Sequence, residues 1–251
     1  MIKTICARFK QGYRTIPLPV KEGALPERFL GRPGVVPENC RENCGKCQEV
    51  CPTGAITGGR DKLALDLGKC LFCGQCQNVC FNKAITFTGD YQLSARKKDD
   101  LIARNNLPFN IETIDKKIKS IFGRSLKLRQ VSAGGCNACE LDINVLNTVV
   151  FDLGRFGIQF VASPRHADGL VVTGPVTANM RLALEKTYKA IPSPKIVIAL
   201  GACAISGGPY INHKEVCNGC DSLFPVDLYI PGCPPHPLTI LKGILELFGI
   251  K

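Results

Sequence analysis

Cys40-Arg41-Glu42-Asn43-Cys44-Gly45-Lys46-Cys47-Gln48-Glu49-Val50-Cys51-Pro52, answered by Cys70-Leu71-Phe72-Cys73-Gly74-Gln75-Cys76-Gln77-Asn78-Val79-Cys80, decides the reading of this chain. The first stretch reads C-x3-C-x2-C-x3-C-P and the second C-x2-C-x2-C-x3-C. They are two copies of one unit. Cys51-Pro52-Thr53-Gly54-Ala55-Ile56-Thr57 overlays Cys80-Phe81-Asn82-Lys83-Ala84-Ile85-Thr86 at a shift of 29 residues, and Cys44/Cys73 and Cys47/Cys76 keep that shift. Cys40/Cys70 breaks it by one, which puts one irregular residue in the first loop. Thiolates grouped in fours bind iron–sulfur clusters or zinc.

Working outward, the stretch 40–89 is a compact cysteine module with different text on each side. Residues 1–39 are rich in proline, glycine and basic residues and show no clear period, so they read as an extended strap laid on another surface. Residues 90–125 form a charged connector, in which Ile111, Ile114, Ile118 and Ile121 recur at the spacing of an amphipathic helix. Residues 126–251 alternate strand and helix signals. Leu126–Val131, Gly157–Ala162, Gly169–Thr173, Lys195–Leu200 and Leu228–Ile230 read as strands; Glu140–Leu153, Asn179–Ala190 and Leu238–Phe248 read as helices. That alternation predicts an α/β sandwich with a mainly parallel sheet.

A third set of cysteines sits in that segment, in Gly134-Gly135-Cys136-Asn137-Ala138-Cys139-Glu140, Gly201-Ala202-Cys203-Ala204 and Pro231-Gly232-Cys233-Pro234-Pro235. Each part follows an expected strand. Ligands in open α/β sheets gather beyond the carboxyl ends of strands, so three distant loops are expected to converge on one site. Twelve of the fifteen cysteines are thereby placed in three sets of four.

Bulk properties narrow the class. An apolar content of 45% in 251 residues fits a globular chain of one large and one small domain. No apolar run of 18 residues appears, and Met1 to Pro19 carries neither a long apolar core nor a twin arginine, so no spanning helix and no export signal are expected. Cysteines in an unexported chain point to metal ligation over disulfides. The formal charge of +11 counts every cysteine as neutral; three clusters with four thiolates each would leave roughly +5. With no tryptophan and five tyrosines there is no aromatic platform for nucleic acid, so none is expected as a partner.

The paired motifs resemble the two-[4Fe–4S] ferredoxin family over about fifty residues, which implies a small α+β dicluster domain. In that run the fourth cysteine serves the other cluster. The resemblance therefore assigns Cys40, Cys44, Cys47 and Cys80 to one cluster, and Cys51, Cys70, Cys73 and Cys76 to the other. Pro52 would give Cys51 a rigid exit from its helix; Phe81 replaces it in the second copy.

The third set, with its G-x-C-A and P-G-C-P-P texts in that order, resembles the small subunit of [NiFe] hydrogenases and its relative, the 20 kDa-type subunit of respiratory complex I, over about residues 125–251. The resemblance implies a flavodoxin-like α/β sandwich in which Cys136, Cys139, Cys203 and Cys233 hold a proximal [4Fe–4S] cluster, for three clusters in all. Two residues separate Cys136 from Cys139, as in hydrogenase small subunits; complex I relatives begin the motif with adjacent cysteines. No export signal and no further C-terminal cluster domain are seen, which resembles the energy-converting, membrane-associated group that includes formate hydrogenlyase. The fused ferredoxin module departs from that group, which more often keeps it on a separate polypeptide. The implied role is an electron-transfer subunit with no catalysis of its own. It would sit peripherally on the cytoplasmic face of a membrane, beside a hydrogenase- or complex I-type large subunit, membrane-embedded subunits and further ferredoxin-type or dehydrogenase subunits. Two other readings stay open: a complex I-like oxidoreductase without a hydrogenase metal centre, and a soluble ferredoxin-type carrier with a structural α/β domain.

Other residues draw notice. Cys217 and Cys220 form a further C-x2-C but lack two more partners, and read as loop thiols. Cys6 reads as a small packed hydrophobe. Glu140 follows a ligand at a helix start, where it suits the dipole or a proton relay. His166, His213 and His236 show no ligand spacing, although His236 lies near enough to Cys233 in sequence to tune that cluster by a hydrogen bond.

Overall fold

Gly169-Leu170-Val171-Val172-Thr173 and Ile196-Val197-Ile198-Ala199-Leu200 are short apolar runs, and each becomes a strand buried on both faces. The computed structural model describes residues 2–20, 25–60, 62–104, 113 and 125–249. In the second half, β6 (Leu126–Ser132), β7 (Ile158–Phe160), β8 (Gly169–Thr173), β9 (Ile196–Leu200) and β10 (Leu228–Ile230) form one sheet in the order β10-β9-β8-β6-β7. Every neighbouring pair is parallel. This is the doubly wound, flavodoxin-type order, in which the chain steps to one side of β6 and then returns to the other. Helices α4 (Ala138–Val145), α5 (Ala178–Ala190), α6 (Ala202–Ser206) and α7 (Pro237–Leu247) follow β6, β8, β9 and β10. The expected α/β fold and all five expected strands are present. The helix expected over Glu140–Leu153 is shorter: α4 ends at Val145, and a 3-10 turn covers Leu153–Phe156. Asp152, at φ 47°, stands in the left-handed region and separates that turn from the chain before it.

The first half carries the internal repeat into three dimensions. Helices α2 (Lys46–Glu49) and α3 (Gln75–Val79) are counterparts at the 29-residue shift. Gly54 and Lys83 are equivalent and share positive φ, 60° and 53°; Asn43 and Phe72 are equivalent and share φ 55° and 53°. The two copies thus share local backbone geometry. Strand β1 (Pro33–Val35) pairs antiparallel with β4 (Ile85–Phe87), while β2 (Ile56–Thr57), β3 (Ala64–Asp66) and β5 (Ile102–Ala103) form an antiparallel trio.

Three sequence expectations need correction. Residues 33–39 belong to the ferredoxin-like unit and not to a strap, because β1 closes against β4 some fifty positions later. Residues 2–11 are not extended: they form helix α1 (Ile2–Gln11), in which Ile2, Ile5 and Phe9 recur at helical spacing among good helix formers. Residues 90–103 are less a connector than a joint. Leu93, Ala95, Leu101 and Ala103 are buried, and Ala95 forms an antiparallel bridge with Tyr229 beside β10. The helix expected around Ile111–Ile121 lies outside the described residues.

The two units share one hydrophobic core, running from Val35, Leu65 and Ile85 to Val172, Ala204 and Ile205. A second core on the other sheet face packs α7 against Leu128, Ile198 and Ile230. Where the units meet, the Ser206 hydroxyl donates to the Gly68 carbonyl at 2.8 Å. Gly68 is there because a Cβ would stand 2.8 Å from Ile205.

Candidate cluster-binding sites

The structure sorts the eight cysteines of the repeat into two groups. Cys40, Cys44, Cys47 and Cys80 line one cavity together with Leu63, Phe81 and Ile85. Cys51, Cys70, Cys73 and Cys76 line another, with Ala55, Ile56, Leu65 and Phe87. Each group thus takes one member from the opposite motif. Short helices explain the crossing. In each copy the third cysteine sits in a helix (Cys47 in α2, Cys76 in α3), and the fourth emerges at the far end, facing the other loop.

The surroundings of both cavities suit a [4Fe–4S] core. The lining offers thiols among apolar side chains. Backbone amides donate to sulfur: Ala55 N to Cys51 Sγ at 3.2 Å, Ala84 N to Cys80 Sγ at 3.2 Å, and Phe72 N to Cys70 Sγ at 3.3 Å. The first two are the same bond in the two copies. Such bonds stabilise charge on a cluster's sulfurs. Among the described residues no three His, Cys, Asp or Glu side chains converge as one bound ion would require. Burial pushes the Cys70 thiol up to about 12 and Cys76 up to about 11, with smaller effects from neighbouring thiols. Cys40 and Cys47 are raised for the same first reason. Without a bound cation these groups hold their protons, so loading a cluster releases them.

The dispersed cysteines collect at the carboxyl edge of the parallel sheet. Cys136 and Cys139 follow β6, Cys203 is in α6 after β9, and Cys233 follows β10. Burial raises Cys139 strongly, and the next causes are Glu140, Cys203, Cys233 and Cys136, so all four thiols are electrostatic neighbours. Cys203 is pushed up to about 11, by burial first and then by Cys233 and Cys136. Two glycines make the approach feasible. A Cβ on Gly201 would lie 2.7 Å from Cys139 Sγ, and one on Gly208 would lie 2.8 Å from Cys203 Sγ. Cys136 and Cys233 are exposed, so the site opens outward. Beside it, Leu141, Val145 and Val149 follow at four-residue steps and are all exposed.

Glu140 is buried at the start of α4 and accepts a 2.6 Å hydrogen bond from the Thr173 hydroxyl at the end of β8. Sequence spacing could not have matched it to Thr173, 33 residues away. His236 caps α7, its Nδ1 accepting from Leu238 N at 3.2 Å, and its ring meets Phe29 edge-on with centroids 5.1 Å apart. His213 Nδ1 accepts from Glu215 N, and His166 lies in a 3-10 turn. Cys220 is fully buried in the shared core, where burial lifts its thiol to about 12; Cys217 packs partly against that core. Neither is among the groups that act on Cys139 or Cys203. The expectation that Cys6 packs is corrected: it lies exposed on α1.

The second cavity and the third site are adjacent. Leu71 and Phe72, between Cys70 and Cys73, share a groove with Cys233, Pro234, Pro235 and His236. The Gly68 loop that leads into Cys70 rests on α6, which carries Cys203.

Two parts of the chain match known families. Residues 136–247 match the family described as NADH ubiquinone oxidoreductase, 20 Kd subunit, and residues 32–90 match a 4Fe-4S dicluster domain. Formate hydrogenlyase subunit 7 of Escherichia coli is 46% identical over 135 residues, 54% of this chain and 51% of that protein. The chain thus matches about half the length of that relative. The probable membrane-bound hydrogenase subunit mbhJ of Pyrococcus furiosus is 41% identical over 53% of this chain and 81% of that protein. A protein of Methanocaldococcus jannaschii, MJ0516, is 44% identical over 49% of this chain and 83% of its own length. Among solved structures, a chain of the membrane-bound sulfane sulfur reductase, an archaeal respiratory membrane complex, aligns at 33% identity with a TM-score of 0.47, over 55% of this chain and 76% of that one. With a dicluster domain fused ahead of the matched segment, the chain belongs to the NADH ubiquinone oxidoreductase 20 kDa subunit family.

Proposed function

We propose that this chain is the electron-transfer subunit of a membrane-associated [NiFe]-hydrogenase-like complex, built to hold three [4Fe–4S] clusters. Cys40, Cys44, Cys47 and Cys80 would hold the outermost, Cys51, Cys70, Cys73 and Cys76 the middle one, and Cys136, Cys139, Cys203 and Cys233 the one facing a large subunit. When bound, the clusters supply one-electron carriers. The chain's residues supply ligation, burial, amide hydrogen bonds and fixed spacing, while bond chemistry belongs to the partner. The observation that carries the reading is the adjacency of the sites. The Cys70–Cys73 loop shares a groove with Cys233, and its Gly68 approach is hydrogen-bonded to the helix of Cys203. Fusion replaces an encounter between separate carriers with a permanent neighbour.

The partner is inferred from surface and relatives together. Cys136 and Cys233 are exposed beside the apolar stripe of Leu141, Val145 and Val149, a face that suits burial against another subunit. The two-residue gap between Cys136 and Cys139, with relatives named as hydrogenlyase and hydrogenase subunits, favours the hydrogenase branch over a complex I-like assembly lacking that metal centre. Among the described residues no helix is long and apolar enough to cross a membrane.

The test is metal analysis with spectroscopy on the anaerobically purified complex. About twelve iron and twelve sulfide per chain are expected, and three distinct signals on stepwise reduction. Cys51→Ser and Cys70→Ser should disturb the same signal. Stoichiometric zinc with little iron, or different signals lost in the two variants, would overturn the assignment. A partner large subunit lacking paired C-x2-C motifs would move the chain to the complex I-like reading.

A further inference from the structure

Helix α1 buries none of its own residues. At about 3.6 residues per turn, Ile2, Ile5, Cys6 and Phe9 fall on one arc of about 100°. Tyr13, just past the helix end, continues it. The large side chains stand in the open: Ile2 is 79% exposed, Ile5 52%, Phe9 84% and Tyr13 85%. Lys3 and Lys10 border the arc on one side and Arg8 on the other, Arg14 follows, and the helix contains no acidic residue. Among the described residues none of these four cations is paired with a carboxylate. Arg8 instead donates to the Gly12 carbonyl and lies 4.4 Å over the Tyr13 ring.

We propose that α1 lies in the plane of an anionic lipid surface and docks this chain there directly. The proposal goes beyond the electron-relay reading and does not depend on it. Charge complementarity selects the occupant. An apolar arc bordered on both sides by cations, with no carboxylate, matches a layer of acyl chains beneath negative headgroups. The lysine and arginine stems extend the apolar arc while their charged ends reach the phosphates. A helix of 10 residues is too short to span a bilayer, so it lies flat. The body holds it in place. Ile16 N donates to the Val150 carbonyl at 2.8 Å, and Arg155 Nη2 donates to the Ile16 carbonyl at 2.9 Å.

Flotation of the full, cluster-loaded chain tests this, with vesicles of phosphatidylcholine alone and of phosphatidylcholine mixed with phosphatidylglycerol. Binding to the mixed vesicles, weakened by salt, and little binding to neutral ones is expected. Each surface cation contributes about fivefold in affinity, so the Lys3→Gln, Lys10→Gln double variant should bind roughly 25-fold more weakly. Phe9→Glu should abolish flotation. Iron content should stay unchanged in both variants, which separates this test from that of the relay. Equal binding to both vesicle types, no flotation of the parent, or variants that float like it would overturn the proposal. Variants that float normally but lose a protein partner would assign α1 to a protein interface and overturn it as well.

Discussion

Replacing Gly201 with alanine probes the third site at its tightest point. Gly201 has φ 89° and ψ 156°, a region that side chains other than glycine enter at a cost of about 1–3 kcal/mol. The added methyl would also lie 2.7 Å from Cys139 Sγ. An ordinary contact needs about 3.5 Å or more, so the sulfur must retreat by most of an ångström. Ligand geometry tolerates only about 0.5 Å. Gly201→Ala should therefore lose about four of the chain's irons and keep the rest. Its melting temperature should fall by about 2–12 °C. Iron and sulfide analysis with a thermal melt reads both. Gly59→Ala is the control, since a Cβ there meets nothing within 4 Å. Full iron content with an unchanged melt in Gly201→Ala would refute the argument that Gly201 exists to admit Cys139.

On the proposed assignment, which leaves both thiols out of the third set, the Cys217→Ser, Cys220→Ala variant should keep its full iron content; loss of about four irons would redraw that set. Cys220 also predicts a pH effect. Its thiol is raised to about 12 by burial, against about 8.5 when unfolded. Its contribution to stability is complete below the unfolded value and is lost as pH rises through the folded one. Cys220→Ala should flatten the alkaline decline in thermal stability, and an identical slope in parent and variant would contradict this. Glu140→Gln keeps an acceptor for Thr173 but removes a negative charge that acts on Cys139 and Cys203. On the proposed assignment, the midpoint potential of a cluster held by Cys136, Cys139, Cys203 and Cys233 should rise at unchanged iron content, and a potentiometric titration showing no shift or a fall would count against it.

Much of this was legible in the sequence because the relevant signals are local. Cysteine spacing within each motif, the 29-residue repeat and the short apolar runs are set over a few residues, where backbone geometry is decided by near neighbours. The short apolar run Leu170 to Val172 reads as a buried strand, and the equivalence of Gly54 with Lys83 follows from the repeat. What stayed illegible depends on contacts between distant parts of the chain. Nothing near Pro33 announces that it will pair with Phe87. Nothing near Glu140 names Thr173, and nothing near Cys220 says that the core of both units will close over it. Helix α1 is instructive in the other direction. Its period was present in Ile2, Ile5 and Phe9 but sat within a proline- and glycine-rich stretch. Only the tertiary structure shows its apolar arc exposed, because exposure is a property of the whole packed chain. Residue spacing, set along the chain, marked out the cysteine motifs; the crossing of strands and loops, set by burial of a shared core, decided which cysteines of the repeat line one cavity.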